Sequence, residues 1–148
     1  FKICKEYISK GFIIIIITNQ AGIARGLYNV KDFHKLTDWM ISEFKKRNIK
    51  IHRVYFCPHH PDFTGNCDCR KPKPGLYNDV SDRLQIPLEN VFCVGDKITD
   101  IQAAENAGGT PILVRTGKGN DEINSGLVPK HIPIYDDLAS FVNKIITE

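Results

Sequence analysis

No apolar run in this chain approaches the roughly 20 residues that a membrane-spanning helix needs. The longest, Phe12 to Ile17, suits a buried strand instead. No signal-peptide pattern is visible. An excess of one charge is also lacking. The 20 basic and 17 acidic residues leave a formal net charge of +3. That bias is too weak to point to nucleic acid or a membrane as partner, so any basic patch must be local. There is no internal repeat and no low-complexity segment. A disulfide framework is equally absent. The five cysteines are odd in number, and three of them fall between Cys57 and Cys69 while Cys4 and Cys93 stand alone in apolar surroundings. Such clustering fits metal binding better than disulfide pairing.

What is present is ordinary globular material. Hydrophobic residues make up 42% and charged residues 25% of 148 positions, a length that suits one domain spanning residues 1–148. The chain opens on Phe1, inside what reads as a helix, so we expect its true start to lie upstream. Ile3 to Lys10 reads as the end of that helix, stopped by Gly11. The run Phe12 to Ile17 lacks polar alternation and predicts a strand buried on both faces. Asn29 is placed to cap a helix reaching about Lys46, with Phe33, Leu36, Met40 and Phe44 as its inward stripe. Trp39 falls off that stripe and is expected to pack on a neighbouring loop. Further strands are expected at Arg53–Phe56, Val91–Val94 and Ile112–Val114, with a short edge strand at Ile132–Tyr135. Helices are expected at Gly75–Leu84, Thr99–Ala107 and Asp136–Ile146. Strands alternating with helices predict an α/β fold with a doubly wound parallel sheet. Ligands bind beyond the carboxyl ends of such strands. That rule selects Thr18-Asn19-Gln20, the loop from Cys57, and Gly95-Asp96.

Each of these places carries a possible chemistry. Cys57-Pro58-His59 and Cys67-Asp68-Cys69 supply four ligands in two close pairs, the set that a closed, structural tetrahedral zinc site uses. His60 is the alternative to His59, and a loop with incidental thiols is the alternative to zinc. Arg70-Lys71-Pro72-Lys73-Pro74-Gly75 follows directly. Arg70 can grip a phosphate with two donors, Lys71 offers a point charge, and the prolines stiffen the backbone. A solvated basic loop explains the run equally well. At Gly95-Asp96-Lys97-Ile98-Thr99-Asp100, two carboxylates flank a turn into a helix. Magnesium is commonly held by one or two carboxylates together with a substrate phosphate. Asp100 can instead serve only the helix start, and Lys97 can pair with Asp96 or meet a phosphate. Thr18 and Asn19 can donate to phosphate oxygens, or merely shape a turn.

Together these residues resemble phosphatases of the haloacid dehalogenase superfamily. Thr18 matches its second motif, Lys71 its third, and Gly95-Asp96-x-x-x-Asp100 its fourth. The zinc loop followed by Arg-Lys-Pro narrows the resemblance to the D-glycero-D-manno-heptose 1,7-bisphosphate phosphatase family. Three stretches carry it: Thr18 to Gly26, Cys57-Pro58-His59-His60-Pro61, and Arg70 to Gly75. The resemblance runs from about Gly11 to Gly117. It implies a three-layer sheet and a magnesium-dependent reaction through an aspartyl-phosphate. It also implies a small phosphorylated sugar as substrate and a cytoplasmic monomer. Asp96 would hold Mg2+. Thr18 and Lys71 would stabilise the transferring group, and Asn19, Arg70 and Lys97 would orient the substrate. Zn2+ on Cys57, His59, Cys67 and Cys69 would aim Arg70 and Lys71 inward, and Asp100 would shape the metal site.

One part of the pattern is missing. The family's nucleophile and acid/base lie in an Asp-x-Asp at the end of the first strand, and this chain has none there. Asp136-Asp137 has the wrong spacing and opens a helix. We therefore expect the first strand to belong to an upstream segment, and the chain by itself to bind phosphate weakly and not turn over. Histidinol-phosphate phosphatase is the alternative enzyme. A noncatalytic, zinc-stabilised phosphate-binding module is the alternative of a different class.

Overall fold

In the computed structural model, which describes residues 1–147, the chain divides into two compact units, Phe1–Cys67 and Asp68–Glu148. The first unit opens with helix α1 (Lys2–Ser9) and strand β1 (Ile14–Asn19), then a single turn of helix, α2 (Ala21–Ala24). Helix α3 (Val30–Lys45) and strand β2 (Ile51–Cys57) follow, and the short helix α4 (Pro61–Thr64) closes the unit. β1 and β2 run parallel, with Thr18 beside Phe56 and Asn19 beside Cys57. Their carboxyl ends therefore coincide, and the loops leaving them start from one edge.

α3 begins as its sequence dictates. The Asn29 side chain accepts from the Asp32 N–H at 3.0 Å, and the Asp32 carboxylate accepts from the Asn29 N–H at 3.2 Å. The pair satisfies two helix-start donors reciprocally. The inward face departs from the expected stripe. Phe33 and Thr37 are buried, whereas Leu36 is 63% exposed. Phe33, Thr37, Met40, Ile41 and Phe44 share one face, and at 3.6 residues per turn Leu36 lies roughly 80° from its centre. Trp39 is 61% exposed and does not pack as expected, because it lies beyond Leu36 on the outward side. Phe33 stacks obliquely on Phe56 of β2, ring centres 4.4 Å apart, which ties α3 to the sheet. β1 is half-buried along its whole length rather than buried on both faces. It pairs with β2 in a sheet of only two strands, so less of its surface is covered.

The second unit contains helix α5 (Gly75–Leu84), a 3-10 turn (Leu88–Asn90), strand β3 (Phe92–Gly95) and helix α6 (Ile98–Ala107). Strand β4 (Thr110–Val114), helix α7 (Gly119–Asn124), strand β5 (Ile134–Tyr135) and helix α8 (Leu138–Thr147) complete it. The three strands are parallel in the order β3-β4-β5. Parallel strands joined through helices are the α/β organisation expected from the alternating pattern. The core gathers Ile101 of α6, Leu113 of β4 and Ile132, with Ile98, Ile123 and Val128 packed around them. Phe141 of α8 meets Phe92 and Tyr135 edge-on at 5.4 and 5.3 Å, sealing the sheet. No helix among the described residues is long and apolar enough to cross a membrane.

Candidate active site and metal centre

At the end of β1 the polypeptide turns sharply. The Gln20 N–H donates to the Cys57 carbonyl at 2.7 Å, extending the β1–β2 ladder by one bond. The Gln20 side chain folds back, and its Nε2 donates to Thr18 Oγ1 at 2.9 Å. Tyr28 then donates its hydroxyl proton to Gln20 Oε1 at 2.5 Å. Thr18, Asn19, Gln20 and Tyr28 are all half-buried. Sequence reading singled out Thr18 and Asn19 and missed Tyr28. Nothing in its spacing announces a contact that depends on how the loop folds back.

The loop leaving β2 gathers the cysteines. Cys57 Sγ lies 3.8 Å from His59 Nδ1 and 3.7 Å from Cys67 Sγ. With Cys69 included, one ligand atom from each of the four residues lies within 4.8 Å of the others. A tetrahedron of sulfur ligands at about 2.3 Å from zinc has edges of about 3.8 Å. The cluster thus fits a four-coordinate metal in donor type and in spacing, and all its cysteines are free thiols rather than disulfides. His60 stands outside it. Its Nδ1 accepts from the Asp62 N–H at 3.3 Å, capping α4, and its Nε2 faces Arg25 Nη2 at 3.1 Å. Of the two adjacent histidines, His59 is the one in the cluster.

In the second unit, Arg70-Lys71-Pro72-Lys73 forms a turn closed by the Lys73 N–H on the Arg70 carbonyl, with a cis Lys71–Pro72 bond. The turn is held from two sides. The Gly75 N–H donates to the Asp68 carbonyl at 3.0 Å, and Asn106 of α6 donates to the Pro72 carbonyl at 3.1 Å. Lys71 Nζ lies 2.5 Å from Asp100 Oδ1, both side chains only 11% exposed. Asp100 Oδ2 also accepts from the Lys97 N–H at 3.1 Å, so Asp100 caps α6 and anchors Lys71 at once. Gly95 leaves room for it: a Cβ there would strike the Asp100 carboxylate. The sequence left Asp100 either shaping the metal site or serving the helix start. Its partners among the described residues are the lysine ammonium and the helix-start N–H.

Asp96 directly follows β3 and is half-buried. Its Oδ2 accepts from the Lys118 N–H at 2.9 Å. Gly117, at φ +65°, passes so close that a side chain there would meet that carboxylate. One carboxylate oxygen is thereby fixed at a strand end, an arrangement suited to a hard cation bound jointly with a phosphate. Lys97 is exposed and makes no ion pair with Asp96 among the described residues. Burial pushes the Cys93 thiol up to about 12. Burial also raises the Tyr77 hydroxyl, with Cys93 and Asp100 adding to the effect. Asp137 is a helix cap. Its carboxylate accepts from the Ser140 N–H at 2.7 Å, and that bond holds its carboxyl below the usual range.

Comparison with known proteins gives concordant results. The HAD-hydrolase-like family model matches residues 68–141. The chain is 39% identical over 141 residues to D-glycero-beta-D-manno-heptose-1,7-bisphosphate 7-phosphatase of Vibrio cholerae, covering 91% of this chain and 76% of that protein. It is 45% identical over 121 residues to the Yersinia pestis protein of the same name, covering 78% of this chain and 64% of the relative. The chain thus spans just under two-thirds of that relative's length. The Campylobacter jejuni protein, at 42% identity over 80% of this chain and 67% of its own length, is named for the alpha rather than the beta anomer. Among solved structures, D,D-heptose 1,7-bisphosphate phosphatase from B. bronchiseptica, complexed with magnesium and phosphate, matches with TM-score 0.92 and 32% identity. That match covers 99% of this chain and 80% of the other.

Proposed function

The chain belongs to the D,D-heptose 1,7-bisphosphate phosphatase family of the haloacid dehalogenase superfamily, and we propose that the whole protein removes the 7-phosphate of D-glycero-D-manno-heptose 1,7-bisphosphate. The observation that carries this reading furthest is the Lys71–Asp100 pair, which fixes a cation one loop away from the strand-end carboxylate Asp96. A fixed ammonium costs nothing to reorganise when charge develops on a transferring phosphoryl group. In this reading Lys71 and the Thr18 hydroxyl stabilise that charge, and Asn19, Arg70 and Lys97 orient the sugar and its second phosphate. Asp96 would hold magnesium, which when bound neutralises phosphoryl oxygens during in-line attack. Cys57, His59, Cys67 and Cys69 would hold zinc, keeping the loop before Arg70 and Lys71 in one conformation. The nucleophilic aspartate, and the acid/base partner that would complete an aspartyl-phosphate mechanism, would come from residues beyond this chain. Residues 1–148 then form one phosphatase domain, inactive by itself, of a cytoplasmic monomeric enzyme.

The test measures phosphate release by the whole protein from heptose 1,7-bisphosphate and, in parallel, from histidinol phosphate. Magnesium-dependent turnover of the heptose substrate with little turnover of the other supports the reading, and the reverse preference overturns it. Lys71→Ala should lower turnover at least about hundredfold, the scale of one lost transition-state contact. Near-normal turnover in that variant removes Lys71 from the reaction.

A further inference from the structure

We propose that Tyr28 and Gln20 form a relay that sets the direction of the Thr18 hydroxyl, making both positioning residues for phosphoryl transfer. The inference rests on the role given to Thr18 above. Two bonds connect the three side chains: Tyr28 to Gln20 Oε1 at 2.5 Å and Gln20 Nε2 to Thr18 Oγ1 at 2.9 Å. The backbone around them is tightly constrained. The Gln20 N–H is held by Cys57, and the Gln20 carbonyl accepts from the Ile23 N–H at 3.0 Å. The Leu27 N–H donates to the Gly22 carbonyl at 2.9 Å, curling the loop so that the Tyr28 ring lies against Gly22. Any Cβ at position 22 would strike that ring. The loop is folded so that a phenol reaches an amide eight residues earlier.

A hydroxyl carries one proton and two lone pairs. While Gln20 donates to Thr18 Oγ1, the Thr18 proton remains for another acceptor. In the opposite sense the amide is rotated by half a turn. Thr18 then donates to Gln20 Oε1, and Gln20 Nε2 donates to the tyrosine oxygen. The first sense engages the Tyr28 proton on Gln20 Oε1 and directs the Thr18 proton at a substrate, whereas the second takes that acceptor from the Tyr28 proton and leaves it to solvent. A phosphoryl oxygen is an acceptor only, so it selects the first sense. The three bonds then run one way, and each polarises the next. Replacing Tyr28 by Phe removes the donor at the head of the relay. Either orientation of the amide then leaves its end facing position 28 unpaired, so the preference for the first sense is lost and the Thr18 proton can turn to Gln20 Oε1 and away from the substrate.

The experiment compares Tyr28→Phe, Gln20→Leu and the double variant in the whole protein, each also combined with Thr18→Val. Tyr28→Phe should lower kcat by about five- to tenfold, the scale of one neutral hydrogen bond, with KM and Tm almost unchanged. The double variant should lose no more than Gln20→Leu alone. In the Thr18→Val background neither change should lower kcat further. A merely structural role would lower Tm and leave kcat per folded molecule unaltered. An active wild type whose Tyr28→Phe variant keeps full kcat, or additive losses in the double variant, overturns the relay alone. A wild type that releases no phosphate overturns the functional reading and the relay with it.

Discussion

Lys71 and Asp100 show how a single residue can carry two duties. Asp100 is buried at the start of α6 and accepts from both a backbone N–H and an ammonium. Asp100→Asn keeps an acceptor for the backbone but removes the charge that faces Lys71. Breaking a buried pair from one side leaves the other charge uncompensated, and here it should cost about 3 kcal/mol. Urea denaturation measures that loss. Lys71 would also be released from its anchored position, so kcat should fall by about tenfold, on the scale of a lost charged hydrogen bond. The magnesium concentration for half-maximal activity separates two roles. If Asp100 acts through Lys71, that concentration stays at its wild-type value, whereas a rise would return Asp100 to the metal site. The residue types at both positions were readable from sequence spacing. Their pairing was not, because 29 positions separate them and only folding brings the turn at Pro72 against α6.

Among the elements, α3 shows most clearly what local chemistry decides. Asn29 and Asp32 cap one another in a reciprocal box. Asn29→Ala should destabilise the protein by about 1 kcal/mol, with no change in KM. Chemical denaturation followed by helical circular dichroism reads the loss. A loss near zero would mean that packing on β2, not the cap, fixes where the helix starts. Sequence reading located this cap because capping acts over three residues. α5 was likewise expected at Gly75–Leu84 and is found there. The inward face of α3 departs from the expected stripe because it depends on phase against a distant partner. Leu36 lies at the same spacing from Phe33 as a core residue would, yet Thr37 is the one buried. The short helices α2, α4 and α7 leave no signal in the sequence for a related reason. Each has six residues or fewer, too few to show an apolar period.

For the molecule as a whole, the cysteine loop matters most, since its ligands run from Cys57 to Cys69 and close a loop of the chain. A metal there closes a loop much as a disulfide would, and a loop of about this length closed covalently contributes about 3 kcal/mol. In a chain of this size, 1 kcal/mol corresponds to about 2–4 °C in Tm. Prolonged chelation should therefore lower Tm by about 6–12 °C, and restoring zinc should recover it. Elemental analysis of the purified protein should find about one zinc per chain, as expected of a single four-ligand site. Cys67→Ser should lose the metal and reproduce the chelated Tm, since the cluster supplies four ligands and holds no spare among the described residues. His60→Ala should keep the metal, because His60 caps α4 and faces Arg25 instead. The result that would reverse this assignment is specific. If His60→Ala loses zinc while His59→Ala retains it, the loop closes through the other histidine, and the path from Cys57 to Arg70 and Lys71 must be redrawn.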